Sequence, residues 1–342
     1  MKNIIILFLF LYQCHKIQTQ FNPSTVVLVS VGNVLSEEKK IKVGDKVSFG
    51  QNLKVGKNSF CDLQIIDAES IITIRLQPET EFVLRTKITP NQNIIRPRII
   101  KGEAFFNIVK LSKKEEFTVV ASAIKATVKG TQFYIEVDSN GKTKLAVNEG
   151  YVLLKPGVIE LDDLPLEKIK HLANAQSIIE SENQKELNVP TGHSVSVSNE
   201  MVKKTNQFIE SIASAENPNS SIANEISRQN YFTKEDIQKL NQEEEEEYKK
   251  VFLELPPLPT EYSSNPEKLR LAVLSRIHSL SETISIRMES ILQRRRETLI
   301  TYDGRKIHGI VYSEKDFFNV ITLNGIERIP VKEAESIILY YK

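Results

Sequence analysis

Ile124-Lys125-Ala126-Thr127-Val128-Lys129-Gly130-Thr131-Gln132-Phe133-Tyr134-Ile135-Glu136-Val137 decides the fold class. Apolar and polar residues alternate up to Val128, and one glycine interrupts. The alternation then resumes with Phe133, Ile135 and Val137 on one face and Tyr134 and Glu136 on the other. A period of two in β-branched and aromatic residues predicts half-buried strands. Gly130 marks a bend or bulge, where a Cβ would clash. Asp138-Ser139-Asn140-Gly141-Lys142 turns the chain, Asn-Gly being the strongest short hairpin signal. Thr143 to Val147 returns towards Glu149-Gly150-Tyr151-Val152.

The flanking chain repeats this texture. Gly44-Asp45, then Gly50 to Ser59, precede the alternating runs Asp62 to Ile65 and Ile72 to Leu76, and Ile99 to Val109 follows with Gly102 inside it. From Val26 to Lys155 the pattern gives about ten short strands punctuated by glycines, the signature of an all-β sandwich or roll.

These motifs, in this order, resemble the FecR domain of bacterial envelope proteins. The resemblance rests on Val128-Lys129-Gly130-Thr131-x-Phe133 and the closing Glu149-Gly150-x-Val152, with Gly44-Asp45 and Gly102 upstream. Lys129 stands where the family more often has Arg. The resemblance implies a fold and a recognition role, with Gly44, Asp45, Gly102, Lys129, Gly130, Thr131, Phe133, Glu149 and Gly150 as structural or binding residues. In the family proper, a cytoplasmic segment controls a sigma factor, a membrane helix follows, and the outer part senses a transporter. This chain shows neither of the first two segments, so only extracytoplasmic recognition is expected to carry over.

The start of the chain predicts export. Lys2 followed by the apolar run Ile4 to Tyr12 is a short signal-peptide core, too short for a spanning helix, which needs ~20 residues. Cys14 follows, so residues 1–13 are expected to be a signal peptide and Cys14 a lipid-modified residue anchoring a periplasmic or cell-envelope lipoprotein through a tether at 14–24. Tyr12 and Gln13 make a poor lipobox. Plain secretion with cleavage nearer Gln20, or an uncleaved start, are the alternatives. With Cys14 lipidated, Cys61 is unpaired and alternates with Leu63 and Ile65 as a small core residue.

The β domain is expected to span 25–198. Leu164 to Leu187 has helical spacing and reads as an insertion at about 160–186. Residues 199–297 read as helical. Thr233 is an N-cap candidate with acids in the next turn. Glu243 to Glu247 is read as a solvated helix face rather than a calcium site. Leu255-Pro256-Pro257-Leu258-Pro259 ends the helix. Leu269, Val273, Ile277, Leu280, Ile284, Met288 and Ile291 form a near-heptad seam. Its expected partner is the preceding helix in an antiparallel hairpin, with a homodimeric coiled coil through residues 265–297 second. Arg294-Arg295-Arg296 then complements the helix C-terminus. Residues 298–342 resemble a small SH3-like or Sm-like β-barrel. The expected fold is therefore mainly β with α: a FecR-like sandwich or roll, a helical hairpin or coiled-coil segment, and a small barrel.

No catalytic or metal motif is present. The five His are scattered, and Gly141-Lys142-Thr143 lacks the first glycine of a phosphate loop. A net charge of +1 gives no field favouring nucleic acid. No cofactor, metal or nucleic acid is expected. The reading is a non-catalytic envelope protein that binds a protein partner for recognition, sensing or scaffolding. The alternatives are a module for cell-wall polymer or carbohydrate, testable at Tyr134 and Tyr151, and a FecR-type regulator of a transport or sigma-factor system.

Overall fold

The computed structural model describes residues 24–66, 70–88, 93–122, 124–156, 186–198, 200, 232–258 and 265–340. Among the described residues, seventeen strands form two layers that share one strand, Asn93–Lys110. The first layer runs Lys46–Ser48, Ser24–Val31, Phe60–Ile66, Ile71–Leu76, the second half of the long strand, Gln132–Val137, Thr143–Glu149, His193–Val197 and Ile237–Lys239. The second runs Lys39–Lys40, Val34–Ser36, Asn52–Val55, Glu81–Ile88, the first half of the long strand, Glu115–Ala121, Ile124–Val128, Tyr151–Pro156 and Leu187–Pro190. Nearly all pairings are antiparallel; Asn93–Ile99 and Glu115–Ala121 run parallel.

The long strand passes from one layer to the other at Gly102. Its φ of +89° lies in the left-handed region, and a Cβ there would sit 2.5 Å from Thr80 Cα. Only glycine fits this corner. The core lies between the layers and joins Leu63, Ile74, Phe106, Phe133 and Ile135 of the first to Leu53, Phe82, Ile99, Phe117 and Val152 of the second. Phe106 is its hub, stacked on Phe133 at 4.9 Å and 13° and edge-on to Phe117. Cys61 belongs to this core with Leu63 and Ile65, and burial pushes its thiol pKa up. In a Cys14→Ser variant, Cys61 is therefore expected to ignore an aromatic disulfide reagent at pH 8 and to react only on unfolding; prompt reaction of the native protein would contradict the packing.

The helices differ from the expected hairpin. The chain after Thr233 makes one 3-10 turn, Lys234–Asp236, and then pairs as Ile237–Lys239 with His193–Val195. Helix α1 begins only at Gln242 and runs Gln242–Leu253. Asn241 caps it: its side chain accepts from Glu244 N–H at 2.9 Å while Glu244 accepts from Asn241 N–H at 3.2 Å. Helix α2, Pro266–Leu292, is capped by Asn265, with Pro266 in its first turn. The two helices bury their apolar faces against the sandwich instead of each other. Tyr248, Val251 and Phe252 of α1 cover Phe105, Tyr134 and Ala146. Leu269, Val273, Ile277, Ile284, Met288 and Leu292 of α2 cover Val26, Leu28, Val29, Val31 and Phe60. The seam expected to make a coiled coil is thereby covered.

Buried polar groups hold the link between the helices. Arg75 and Asp62 are fully buried and bidentate, at 2.7 and 2.8 Å. Arg75 also reaches Glu254 at 2.5 Å, and Arg287 of α2 donates to the same carboxylate. Arg276 donates to the carbonyls of Pro256 and Glu254. Burial would lower the Arg75 pKa, but Asp62 and Glu254 raise it overall. Alongside, Gln64 exchanges two hydrogen bonds with the backbone of Leu258, and Thr73 and Asn107 both donate to Leu255 carbonyl. The segment Glu254–Leu258 thus lies on a sheet face built to receive its backbone.

The C-terminal strands correct a second expectation. Glu297–Thr301, Lys306–Glu314, Phe317–Thr322, Gly325–Pro330 and Ala334–Leu339 form a five-stranded antiparallel sheet with Gly325–Pro330 at one edge and Ala334–Leu339 at the other. The edges do not pair, so the sheet is open and no SH3-like or Sm-like barrel exists. The physical reason is where its apolar residues go. Ile310 and Ile321 join the cluster that holds Met288 and Ile284 of α2, while Leu299, Ile307 and Val320 form a separate small cluster. A barrel would need both sets inside. Arg294 and Arg296 tie the sheet to α2: Arg294 donates to Val311 carbonyl at 2.8 Å and stacks on Tyr312, and Arg296 pairs with Glu282 and Glu289.

Cys14, the signal segment 1–13, the helical insertion at about 160–186 except Glu186, and residues 201–231 lie outside the described residues. Among the described residues no helix is long and apolar enough to cross a membrane.

Candidate protein-binding site

Ile124 to Val137 is where the chain changes layers a second time. Ile124–Val128 lies in one layer and Gln132–Val137 in the other, with Lys129-Gly130-Thr131 as the corner. Gly130 has φ +66°, and a Cβ there would meet nothing nearer than Ile108 carbonyl at 4.0 Å, so backbone conformation, not crowding, requires glycine there. Gly150, φ +85°, turns the neighbouring strand beside it; a Cβ would meet Gly130 carbonyl at 2.8 Å. Thr131 is buried and stitches the two corners, donating to Tyr151 carbonyl at 3.0 Å while its own carbonyl accepts from Ile108 N–H.

Two hollows flank this corner. One, about 580 Å³, is walled by Leu111, Val128 and the stems of Lys113 and Lys129. The other, about 200 Å³, is lined by Asn107, Gln132 and Glu149. Val109 and Gly130 border both. Val109 is 54% exposed, an apolar ridge between two polar-rimmed hollows. The floor is fixed: Glu115 is buried and accepts from Ser70 N–H at 3.0 Å and from Ser70 hydroxyl. Ser70 hydroxyl in turn accepts from Ser112 N–H.

The other motif residues do not converge here. Gly44 and Asp45 form a turn clamped to Val27, with N–H to carbonyl distances of 2.8 and 2.9 Å, and Asp45 caps Lys42 N–H. Gly102 makes the first corner and Phe133 sits in the core. Lys129, Gly130, Thr131, Glu149 and Gly150 are together; Lys129, Gly130 and Glu149 are exposed. Val109 and the Leu111–Lys113 rim were missed in the sequence. No local signal marks Val109, because its exposure depends on where the corner places it.

Tyr134 and Tyr151 do not form a platform for sugar. Tyr134 is buried beneath α1, stacked on Tyr248 at 5.0 Å, and its hydroxyl donates to Glu136 at 3.2 Å. Beside it, burial and then the neighbouring Glu136 raise the Glu103 pKa. A carboxyl raised in the folded state favours folding while protonated, and that contribution is lost as pH climbs from the ordinary carboxylate range through the raised value. Glu103→Gln is accordingly expected to raise the melting temperature at pH 7 and to change little below the ordinary carboxylate range. A lower melting temperature at pH 7 would contradict it.

Residues 51–153 match the FecR protein family. Among the described residues no group of three or more His, Cys, Asp or Glu could hold a metal ion. No curated protein matches the chain. Two crystal structures of a proposed anti-sigma factor from Parabacteroides distasonis, at 1.65 and 2.50 Å resolution, are similar to it at 17% identity and a TM-score of 0.30. The similarity covers 43% of this chain and 55% of theirs, so the chain spans about half the length of these structures.

Proposed function

We propose that this is a cell-envelope protein whose FecR-like domain recognises a protein partner at the Lys129–Gly130 corner. The family match supports a regulatory role in envelope signalling over simple scaffolding. The observation that carries the reading is Val109, an exposed apolar ridge between two hollows on the motif itself. Lys113 and Lys129 on one side and Glu149 on the other supply charges of both signs, which suit a protein segment better than a polyanion. Lipidation at Cys14 would hold this face near a membrane-bound partner, with domains at 25–198, 199–297 and 298–342. Co-purification of the full-length protein from cross-linked envelopes tests the reading. Val109→Asp is expected to remove a recurrent envelope partner while the purified variant keeps its melting temperature. Retention of that partner, or absence of any partner for the parent protein, would refute it.

A further inference from the structure

Among the described residues, the sheet edges of this molecule are protected, with one exception. In the sandwich the outermost strands are Lys39–Lys40, two residues and both Lys; Lys46–Ser48, three residues; Ile237–Lys239, three residues ending in Lys; and Leu187–Pro190, ending in Pro. In the C-terminal sheet the edge Gly325–Pro330 carries Glu327, Arg328 and Pro330. Shortness, charge and proline are the devices that stop edge-to-edge pairing. Ala334–Leu339 has none of them beyond Glu335. It is six residues long, with Ile337 36%, Ile338 52% and Leu339 47% exposed, and Tyr340 following at 38%.

The ladder fixes which backbone groups are free. Tyr340 N–H donates to Arg296 carbonyl, and the register pairs Ile338 with Thr298 and Ser336 with Ile300. Hydrogen-bonded pairs alternate in an antiparallel ladder, so Ile338 and Ser336 bond inward. The N–H and carbonyl groups of Ile337 and Leu339 therefore point out of the sheet.

We infer that Ala334–Leu339 pairs antiparallel with the same strand of a second copy, joining two five-stranded sheets across a two-fold axis. Charge selects this occupant and direction. Glu335 lies at one end of an otherwise uncharged strand. A parallel copy would stack Glu335 on Glu335, whereas an antiparallel copy sets the two acids at opposite ends and apolar centre on apolar centre. Centred on Ile338, the pairing places Ile337 opposite Leu339 twice, using the outward N–H and carbonyl groups on both copies. It is isologous, so it closes at a dimer. It requires neither the Lys129–Gly130 corner nor the covered seam of α2.

The test uses the full-length protein. Light scattering after size-exclusion chromatography is expected to give a dimer, and Ile338→Lys a monomer with the parent's far-UV circular dichroism spectrum, since Ile338 is half exposed. In a Cys14→Ser background, Ile338→Cys is expected to form an intermolecular disulfide under mild oxidation, because facing non-hydrogen-bonded residues lie about 4.5 Å apart at Cα. Ser336→Cys, about 14 Å from its counterpart, is expected not to. A monomeric parent protein, a dimer indifferent to Ile338→Lys, or equal cross-linking at both positions would overturn the inference.

Discussion

Arg75→Met is expected to lower the stability of the protein by about 3–5 kcal/mol, the range for removing one partner of a buried ion pair. Arg75 is fully buried between Asp62, also fully buried, and Glu254; its loss would leave Glu254 to Arg287 but take from Asp62 its bidentate partner. The damage should be spatially specific. Glu254 follows α1 and begins the segment docked on the sheet through Gln64, Thr73 and Asn107. Amide exchange in α1 and in Glu254–Leu258 should rise more than in the core strands Ile71–Leu76 and Gln132–Val137. Asp62→Asn with Arg75→Met should recover part of the loss, because two uncharged side chains leave less uncompensated charge. A loss below 1 kcal/mol, measured by denaturant unfolding, would mean that the network is solvated and does not hold the helices.

Gly102→Ala is expected to cost roughly 3–5 kcal/mol, summing left-handed backbone strain with overpacking. The new methyl would stand 2.5 Å from Thr80 Cα, and backbone cannot rotate away as a flexible side chain can. Thr80 also uses its hydroxyl on both the N–H and the carbonyl of Glu103, each at 3.0 Å, so any shift breaks those bonds too. By contrast Gly44→Ala, with φ +86° but open space around its Cβ position, should cost only the backbone component, about 1–2 kcal/mol. Equal losses at the two positions would show that crowding at the layer crossing is not what fixes the bend.

Local pattern made the strands legible. Phe133, Ile135 and Val137 face the core as their alternation requires, and Asp138 shapes the Asn140-Gly141 turn by accepting from the N–H groups of Asn140 and Lys142. Pattern did not show that the strands on either side of Gly130 belong to different layers, because a period of two describes one strand and not its neighbours. The α2 seam was legible as an apolar stripe but not its partner. A stripe at positions four and three apart packs on a sheet as readily as on a helix, and Leu28 and Phe60 give no sign of it in sequence. Asp62 and Gln64 alternate with Cys61, Leu63 and Ile65 as solvent-facing residues would. They are buried because a segment nearly two hundred residues later covers them, and no local signal encodes that. The C-terminal strands were legible one by one, while closure depended on whether Ile310 and Ile321 turned inward or towards α2. At the candidate site, the glycines and Lys129 were legible from the motif, whereas Val109 gained meaning only when the corner placed it between two hollows.

The most direct test of the central claim is site-specific photo-cross-linking in living cells, with a light-activated residue placed at Val109 in the full-length protein and, separately, at exposed Lys57 as a control. Adducts would be identified by mass spectrometry. One recurrent envelope protein is expected to be captured from Val109 and not from Lys57. Capture of the same proteins from both positions, or of none from Val109 while the protein is folded and exported, would contradict the claim that this corner is the recognition surface.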